Sequence, residues 1–238
     1  MLILAFETSA KAASVALLED GSLLGEYYQN CGQTHSRTLL KMAEDLLENC
    51  GRAPKDVSAV AVAAGPGSFT GVRIGVAAAK GFAWGLDLPC VGVSTLEAMA
   101  CQAAAFEGYV CCAMDARRSQ VYHALFLSEN GTLTRCTEDQ AISLEDLEKS
   151  LKICDRPIIF VGDGAYLCYN TLGSKIPGCR TAPEQMIMQR ASGVALAAYR
   201  TLLGGAEARG ATLTPNYLRL SQAERERAER EKKENQNG

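Results

Sequence analysis

The stretch that could do chemistry runs from Ala64 to Gly75, Ala-Gly-Pro-Gly-Ser-Phe-Thr-Gly-Val-Arg-Ile-Gly. It follows an apolar run, Val57 to Ala64, and leads into a small-residue helical pattern, Val72 to Gly85. A strand, a glycine turn and a helix in that order can cradle an anion, because free backbone N–H groups point outward at a helix start. A Walker A loop, however, needs Lys and then Ser or Thr after its last glycine, and here Val72 and Arg73 follow Gly71. Gly65, Gly67 and Gly71 do not have the G-x-G-x-x-G spacing of a dinucleotide site either. Two readings stay open: a ligand loop, or a tight turn that lets a helix pack closely on its strand.

Other chemistries lack their residues. Gly65-Pro66-Gly67-Ser68-Phe69 is not the G-x-S-x-G elbow of a serine hydrolase. The two histidines, His35 and His123, lie far apart, and the ten cysteines are scattered without a C-x-x-C pair, so no zinc site is indicated. Without a secretory leader, the cysteines are expected to be reduced thiols, several of them core filler, in a cytoplasmic protein. The N-terminus reaches Glu7 too soon for the apolar part of a signal peptide, and no run of eighteen apolar residues exists to span a membrane. A net charge of −3 gives no overall field to collect nucleic acid.

The elements that must position the glycine stretch follow from periodicity. Leu2–Phe6, Ala13–Leu18 and Leu23–Tyr28 form an antiparallel meander with a turn at Asp20-Gly21. Leu39, Leu40, Met42, Ala43, Leu46 and Leu47 recur at helical spacing, and the helix closes near Asn49-Cys50-Gly51. A strand, the glycine stretch with its helix, and a strand over Leu88–Val93 come next. Ser94 and Glu97 then have the spacing of a capping box. The order is βββαβαβα. A second round starts near Gly108, with strands Tyr109–Met114, Gln120–Phe126 and Leu133–Cys136, the last two joined through Asn130-Gly131. A short helix over Ser143–Leu151 with Ser143 and Asp146 placed like a cap, a strand over Ile158–Val161 and a helix over Met188–Leu203 complete it. The expected division is 1–106, a reduced second lobe over 107–220, and a charged tail over 221–238. In that tail five acids balance five bases, as a frayed helix or a disordered end.

The wording of the glycine stretch, with Gly92-Val93-Ser94-Thr95-Leu96, resembles the signature of the TsaB (YeaZ) family. The likeness extends to Leu2–Leu17, Asp115-Ala116-Arg117 and Pro215-Asn216-Tyr217-Leu218-Arg219, so it covers nearly everything before the tail. It implies an α/β fold of the actin, sugar-kinase and heat-shock-ATPase type, built from two ribonuclease-H-like lobes. It also implies a non-catalytic partner of the transferase TsaD. With the ATPase TsaE, TsaD puts threonylcarbamoyl on the adenosine next to the anticodon of certain tRNAs, and tRNA would be met only within the complex. No cofactor is expected.

Set against ATP-binding members of that fold, the first hairpin keeps an acid but has Ser9 and Ala10 where a bare glycine would admit a phosphate. Glu7 and Asp115 could face each other as carboxylates holding magnesium, with Thr8, Gly67 and Arg117 completing a nucleotide cleft. That is the basis of an alternative, a small ATPase or kinase. In the other reading, Glu7 bonds its own turn and Asp115 pairs with Arg117 or Arg118. TsaD carries an H-x-x-x-H metal pair where this chain has Thr95 and Met99, which are poor ligands, so no metal is expected there. The resemblance places the partner interface on the first two helices, at His35, Leu39, Met42, Ser68, Phe69, Arg73, Gly75 and Ala78. The partner would be TsaD or, in the free protein, a second copy.

Overall fold

The computed structural model describes residues 1–205, 210 and 212–219; the expectation for the 221–238 tail lies outside the described residues. Two sheets repeat one plan. In the first, β1 (Leu2–Glu7), β2 (Ala13–Glu19) and β3 (Ser22–Gln29) form an antiparallel meander. The parallel strands β4 (Ala59–Ala63) and β5 (Cys90–Val93) add beyond β1, giving the order β3-β2-β1-β4-β5. In the second, β6 (Gly108–Asp115), β7 (Gln120–Glu129) and β8 (Thr132–Arg135) form the meander. Here β9 (Gln140–Ser143) pairs with β7, while β10 (Ile158–Val161) and β11 (Cys179–Thr181) are the parallel strands beyond β6. Helices α1 (His35–Asn49), α2 (Phe69–Gly85), α3 (Thr95–Gln102), α4 (Leu144–Leu151), α5 (Ala165–Leu172), α6 (Glu184–Ile187) and α7 (Ala191–Leu203) cover the sheets.

Strand β1 is buried along its whole length because both faces of its sheet are covered. Leu2, Leu4 and Phe6 pack with Leu39, Ala43, Leu46 and Leu47 of α1 and Val72, Val76, Ala79 and Ala83 of α2. Ile3 and Ala5, on the opposite face, pack with α7 and with Ala98 and Cys101 of α3. This is the period-2 alternation of a strand, with an apolar layer on each side. The remaining face of α3 carries Leu96, Met99 and Ala100 into the second sheet's core, so one eight-residue helix serves both lobes.

Several expectations need correction. The last helix begins at Ala191, not Met188, since the chain stays extended at Met188 and Arg190. There the Gln189 side chain donates to Asp163 Oδ1 at 3.0 Å, and Arg190 pairs with Glu26 at 3.1 Å. The second lobe expected over 107–220 includes this helix, yet the helix packs on the first sheet. Ser94 caps α3 by accepting from Glu97 N at 3.2 Å, but the Glu97 carboxylate pairs with Arg135 instead of returning to the cap. The Ser143 cap is as expected, accepting from Asp146 N at 3.1 Å.

Candidate functional site

The ends of β1, β4 and β5 in the first sheet and of β6 and β10 in the second carry the loops where a ligand of an open α/β fold would sit. In the first sheet these loops are packed against one another. Ser68 N donates to Ser9 O at 2.7 Å, Gly71 N to the Ser68 hydroxyl at 3.3 Å, and Val72 N to Ser68 O at 2.9 Å. Those N–H groups at the start of α2 therefore satisfy the protein itself. A Cβ on Gly67 would press on Ser9, and one on Gly71 would collide with the Thr8 carbonyl. The Thr8 hydroxyl donates to Gly71 O at 2.8 Å. Glycine here serves close contact between two turns, the packing reading left open by the sequence.

Glu7 ends β1 with its side chain only 1% exposed. One carboxylate oxygen accepts from the Ser9 backbone N–H, and the other has no partner. Burial pushes its pKa up to about 7, with the nearby Asp163 carboxylate adding to the rise and the Ser9 hydrogen bonds opposing it. Asp115, whose charge acts on Asp163, differs from Glu7 in its surroundings. It is exposed and accepts from Arg117 N at 2.7 Å, an interaction with the backbone in place of the expected ion pair. The buried acid nearest Glu7 in influence is Asp163, in the Gly162-Asp163-Gly164 turn after β10, and burial raises its pKa as well. Asp163 and Gln189 were not singled out from sequence. The glycines flanking Asp163 were the available signal.

Thr95 and Met99 are both buried on α3. The Thr95 backbone N–H donates to Gly65 O at 2.9 Å, and the Met99 thioether lies beside Gly162 within the second lobe's core. A hydroxyl and a thioether one helical turn apart are a poor donor set for a borderline cation. Among the described residues, no three His, Cys, Asp or Glu side chains come together in a metal-binding arrangement. His123 is buried, with Nδ1 at 3.1 Å from Cys112 O, and burial lowers its pKa to about 4.

The outer face of α1 and α2 is different in kind. Leu40 is 55% exposed, and with Ala43, Leu47 and Phe82 it lines a groove of about 610 Å³ rimmed by Lys41, Glu44, Glu48 and Arg52. Trp84, the single tryptophan, is 89% exposed, and Leu86 lies just beyond it. Arg73, Ala77, Gly81 and Trp84 fall at helical spacing along the exposed side of α2. Of the residues expected at an interface, Ser68 and Arg73 are exposed, and His35, Met42, Phe69 and Ala78 are half-buried. Leu39 and Gly75 are core residues. Leu39 is 1% exposed, and a Cβ on Gly75 would meet the Thr8 hydroxyl and Val62. Both point inward because the buried positions Leu39, Ala43, Leu46 and Val72, Val76, Ala79 fix the phase of their helices. Leu40, Phe82 and Trp84 belong to no interface motif in the sequence, although the same phase turns Leu40 and Trp84 outward.

The chain is similar to known proteins over most of its length. The family model for TsaD, tRNA N6-adenosine threonylcarbamoyltransferase, matches residues 29–226. The tRNA threonylcarbamoyladenosine biosynthesis protein TsaB of Bacillus subtilis is 37% identical over 224 residues, covering 94% of this chain and 96% of its own. The structure of YeaZ from Pseudomonas aeruginosa superposes with a TM-score of 0.75 at 26% identity, over 91% of this chain and 99% of that one. The ethanolamine utilization protein EutJ of Carboxydothermus hydrogenoformans, at 13% identity and a TM-score of 0.52 over 83% of this chain and 90% of its own, shares the fold alone. The fold is the α/β architecture of the actin-like class expected from the element order. With a likeness that spans nearly the full length of both chains, the protein belongs to the TsaB family of tRNA threonylcarbamoyladenosine biosynthesis proteins.

Proposed function

We propose that this chain is the catalytically silent partner and activator of a TsaD transferase, docking through the outer face of α1 and α2. The observation that carries the reading is that face itself. It holds an almost fully exposed tryptophan and an exposed leucine beside an apolar groove with a charged rim. Exposed apolar patches rimmed by polar residues mark interaction sites, and tryptophan is enriched among the residues that dominate interface energetics. Silence is supported by Thr95 and Met99 at the positions of the TsaD histidine pair, and by first-lobe turns in which Gly67 and Gly71 pack directly on Ser9 and Thr8. The same packing leaves the small ATPase or kinase with a buried Glu7 and an Asp115 engaged on its own hairpin. The ATPase TsaE would act through the complex, and a second copy of this chain would occupy the face when TsaD is absent. A cytoplasmic location goes with this reading; among the described residues no helix is long and apolar enough to cross a membrane.

The test is co-purification with TsaD from the same cell, and tRNA modification assayed with and without this chain. Trp84→Ala should keep the fold and weaken association by roughly 30-fold, the loss of about 2 kcal/mol that marks an interface hot spot. Undiminished affinity in a folded Trp84→Ala protein moves the interface elsewhere. Modification of tRNA by the isolated chain removes the silent-partner reading altogether.

A further inference from the structure

The motif Pro215-Asn216-Tyr217-Leu218-Arg219 lies on a strap that the partner reading does not use. Residues 212–219 run in irregular structure along the first lobe and end at the second. Lys80 Nζ donates to Leu213 O at 3.0 Å, Asn216 N to Ala64 O at 2.6 Å, and Arg219 Nη1 to Ala116 O at 2.7 Å. Midway, the Tyr217 ring stacks on Phe69 with centroids 4.5 Å apart and planes at 25°. The Arg73 guanidinium lies 3.9 Å from the Phe69 centroid, and its Nε donates to the Tyr217 hydroxyl at 2.8 Å. Tyr217 stays 39% exposed.

Arg219 brings this stack to the hairpin that joins β6 and β7. Arg117, Arg118 and Ser119 there have φ of 63°, 55° and 56°, three consecutive left-handed residues without a glycine. Such backbone is disfavoured for residues with a Cβ and persists where the surroundings over-determine it. Here Asp115 accepts from Arg117 N, and Leu144 N donates to Ser119 O at 3.2 Å. The hairpin thereby holds Arg117 and Arg118 out in solvent. The arginines with carboxylate partners are Arg52, Arg135, Arg156 and Arg190, all elsewhere. Arg73, Arg117, Arg118 and Arg219 make no ion pair among the described residues, and Asp115 is the acid on the hairpin itself.

Arg117, Arg118 and Arg219, which have no carboxylate partner among the described residues, and an exposed stacked ring gather on one edge of a chain whose net charge is −3. We propose that this edge is the chain's own RNA contact, taking tRNA phosphates on Arg117, Arg118 and Arg219 and an unstacked base or ribose against Tyr217. Phosphate neutralisation by arginine and stacking on an aromatic face are the two interactions that bind a strand without reading its sequence. A protein partner is the lesser fit at the hairpin, where Arg117, Arg118 and Ser119 all stand exposed and the centre of such an interface is depleted of charge. The inference rests on the reading of this chain as part of a tRNA-modifying complex. Too few charges are present for the chain to hold tRNA by itself.

The experiment is fluorescence anisotropy of labelled tRNA against the assembled complex with TsaD, over a salt series. It compares wild type with the double variants Arg117→Gln/Arg118→Gln and Arg117→Lys/Arg118→Lys, with association read by size exclusion. The glutamine pair should lower affinity roughly tenfold at 0.1 M salt and flatten the log–log salt slope by about 1.4–1.8, while the lysine pair keeps most of the slope. Association with TsaD should not change. An unchanged slope with the complex intact overturns the proposal and leaves the partner reading standing. A glutamine pair that loses TsaD but keeps the slope makes the edge a protein contact and also overturns it. Failure of the wild-type chain to join TsaD ends both readings.

Discussion

The two sides of α2 use glycine for opposite reasons. On the inner side, Gly71 and Gly75 bring the helix against Thr8 at the end of β1, where an added Cβ would strike the Thr8 carbonyl or hydroxyl. On the outer side, Gly81 and Gly85 have no atom within 4 Å of where a Cβ would stand. Each glycine inside a helix costs up to about 1 kcal/mol against alanine. The inner pair is compensated by packing within the chain. The outer pair, beside an exposed Trp84, has no compensation in this chain alone. A stripe of small residues therefore signals close approach without saying to what, and only the burial of its neighbours separates core from surface.

The largest test of this contrast exchanges the two sides. Gly75→Leu should destabilise the protein by about 3 kcal/mol or more, the upper range for overpacking, because Thr8 and Val62 already occupy the space. Gly81→Leu should leave thermal stability nearly unchanged and remove association with the partner. Thermal melts beside a pull-down read both. A stable, association-deficient Gly75→Leu protein would reverse the assignment of the two faces.

A second test asks whether the inner junction is dry. Glu7, buried beside Thr8, has its pKa raised to about 7 from 4.5. Its contribution to stability is therefore full below pH 4.5, falls as pH rises through the folded pKa, and is flat above that, a change of about 3 kcal/mol. His123, buried in the second lobe, is lowered to about 4 from 6.5. Its contribution is full above pH 6.5 and is lost as pH falls toward 4, a change of about the same size and opposite sign. The two slopes nearly cancel in the wild-type chain. Glu7→Gln, which keeps an acceptor for Ser9 N–H, should unmask stability that rises with pH between 4 and 6.5. His123→Gln should unmask stability that falls between 4.5 and 7. Chemical denaturation at half-unit pH steps measures both, and a Glu7→Gln profile parallel to wild type would mean water reaches the junction.

The contrast also locates what could be read from the chain. The long strands and both large helices of the first lobe were legible, because their apolar periods of two and 3.6 are each satisfied by a cover on the facing side. Strands β9 and β11 and helix α5 were not recognised. The two strands are four and three residues long, too short for a period to show, and α5 is eight residues with apolar and polar side chains mixed. The motif around Gly65–Gly75 was legible as a turn followed by a helix, yet not the direction in which Gly75 faces, since glycine carries no side chain to reveal a phase. Glu7 was visible as an acid after a strand. Its pairing in influence with Asp163, in place of Asp115, depends on how the second sheet's loops meet the first, and no local pattern encodes that.

The smallest expected effect bears most directly on why the outer glycines persist. Gly81 lies well inside α2 with open space around it, so Gly81→Ala should stabilise the isolated chain by about 0.5–1 kcal/mol through helix propensity and a less flexible unfolded state. In the complex, the same methyl would stand where a partner helix must come close beside Trp84. Association should then weaken by roughly fivefold, the low end of an overpacking cost of about 1–3 kcal/mol. A substitution that strengthens the monomer and weakens the assembly in one step is the signature of a residue kept for its partner. Denaturation of the free chain and titration against TsaD give the two numbers independently. Stabilisation with undiminished affinity would show that the partner does not approach at Gly81, and would confine the docking surface to the groove around Leu40 and Phe82.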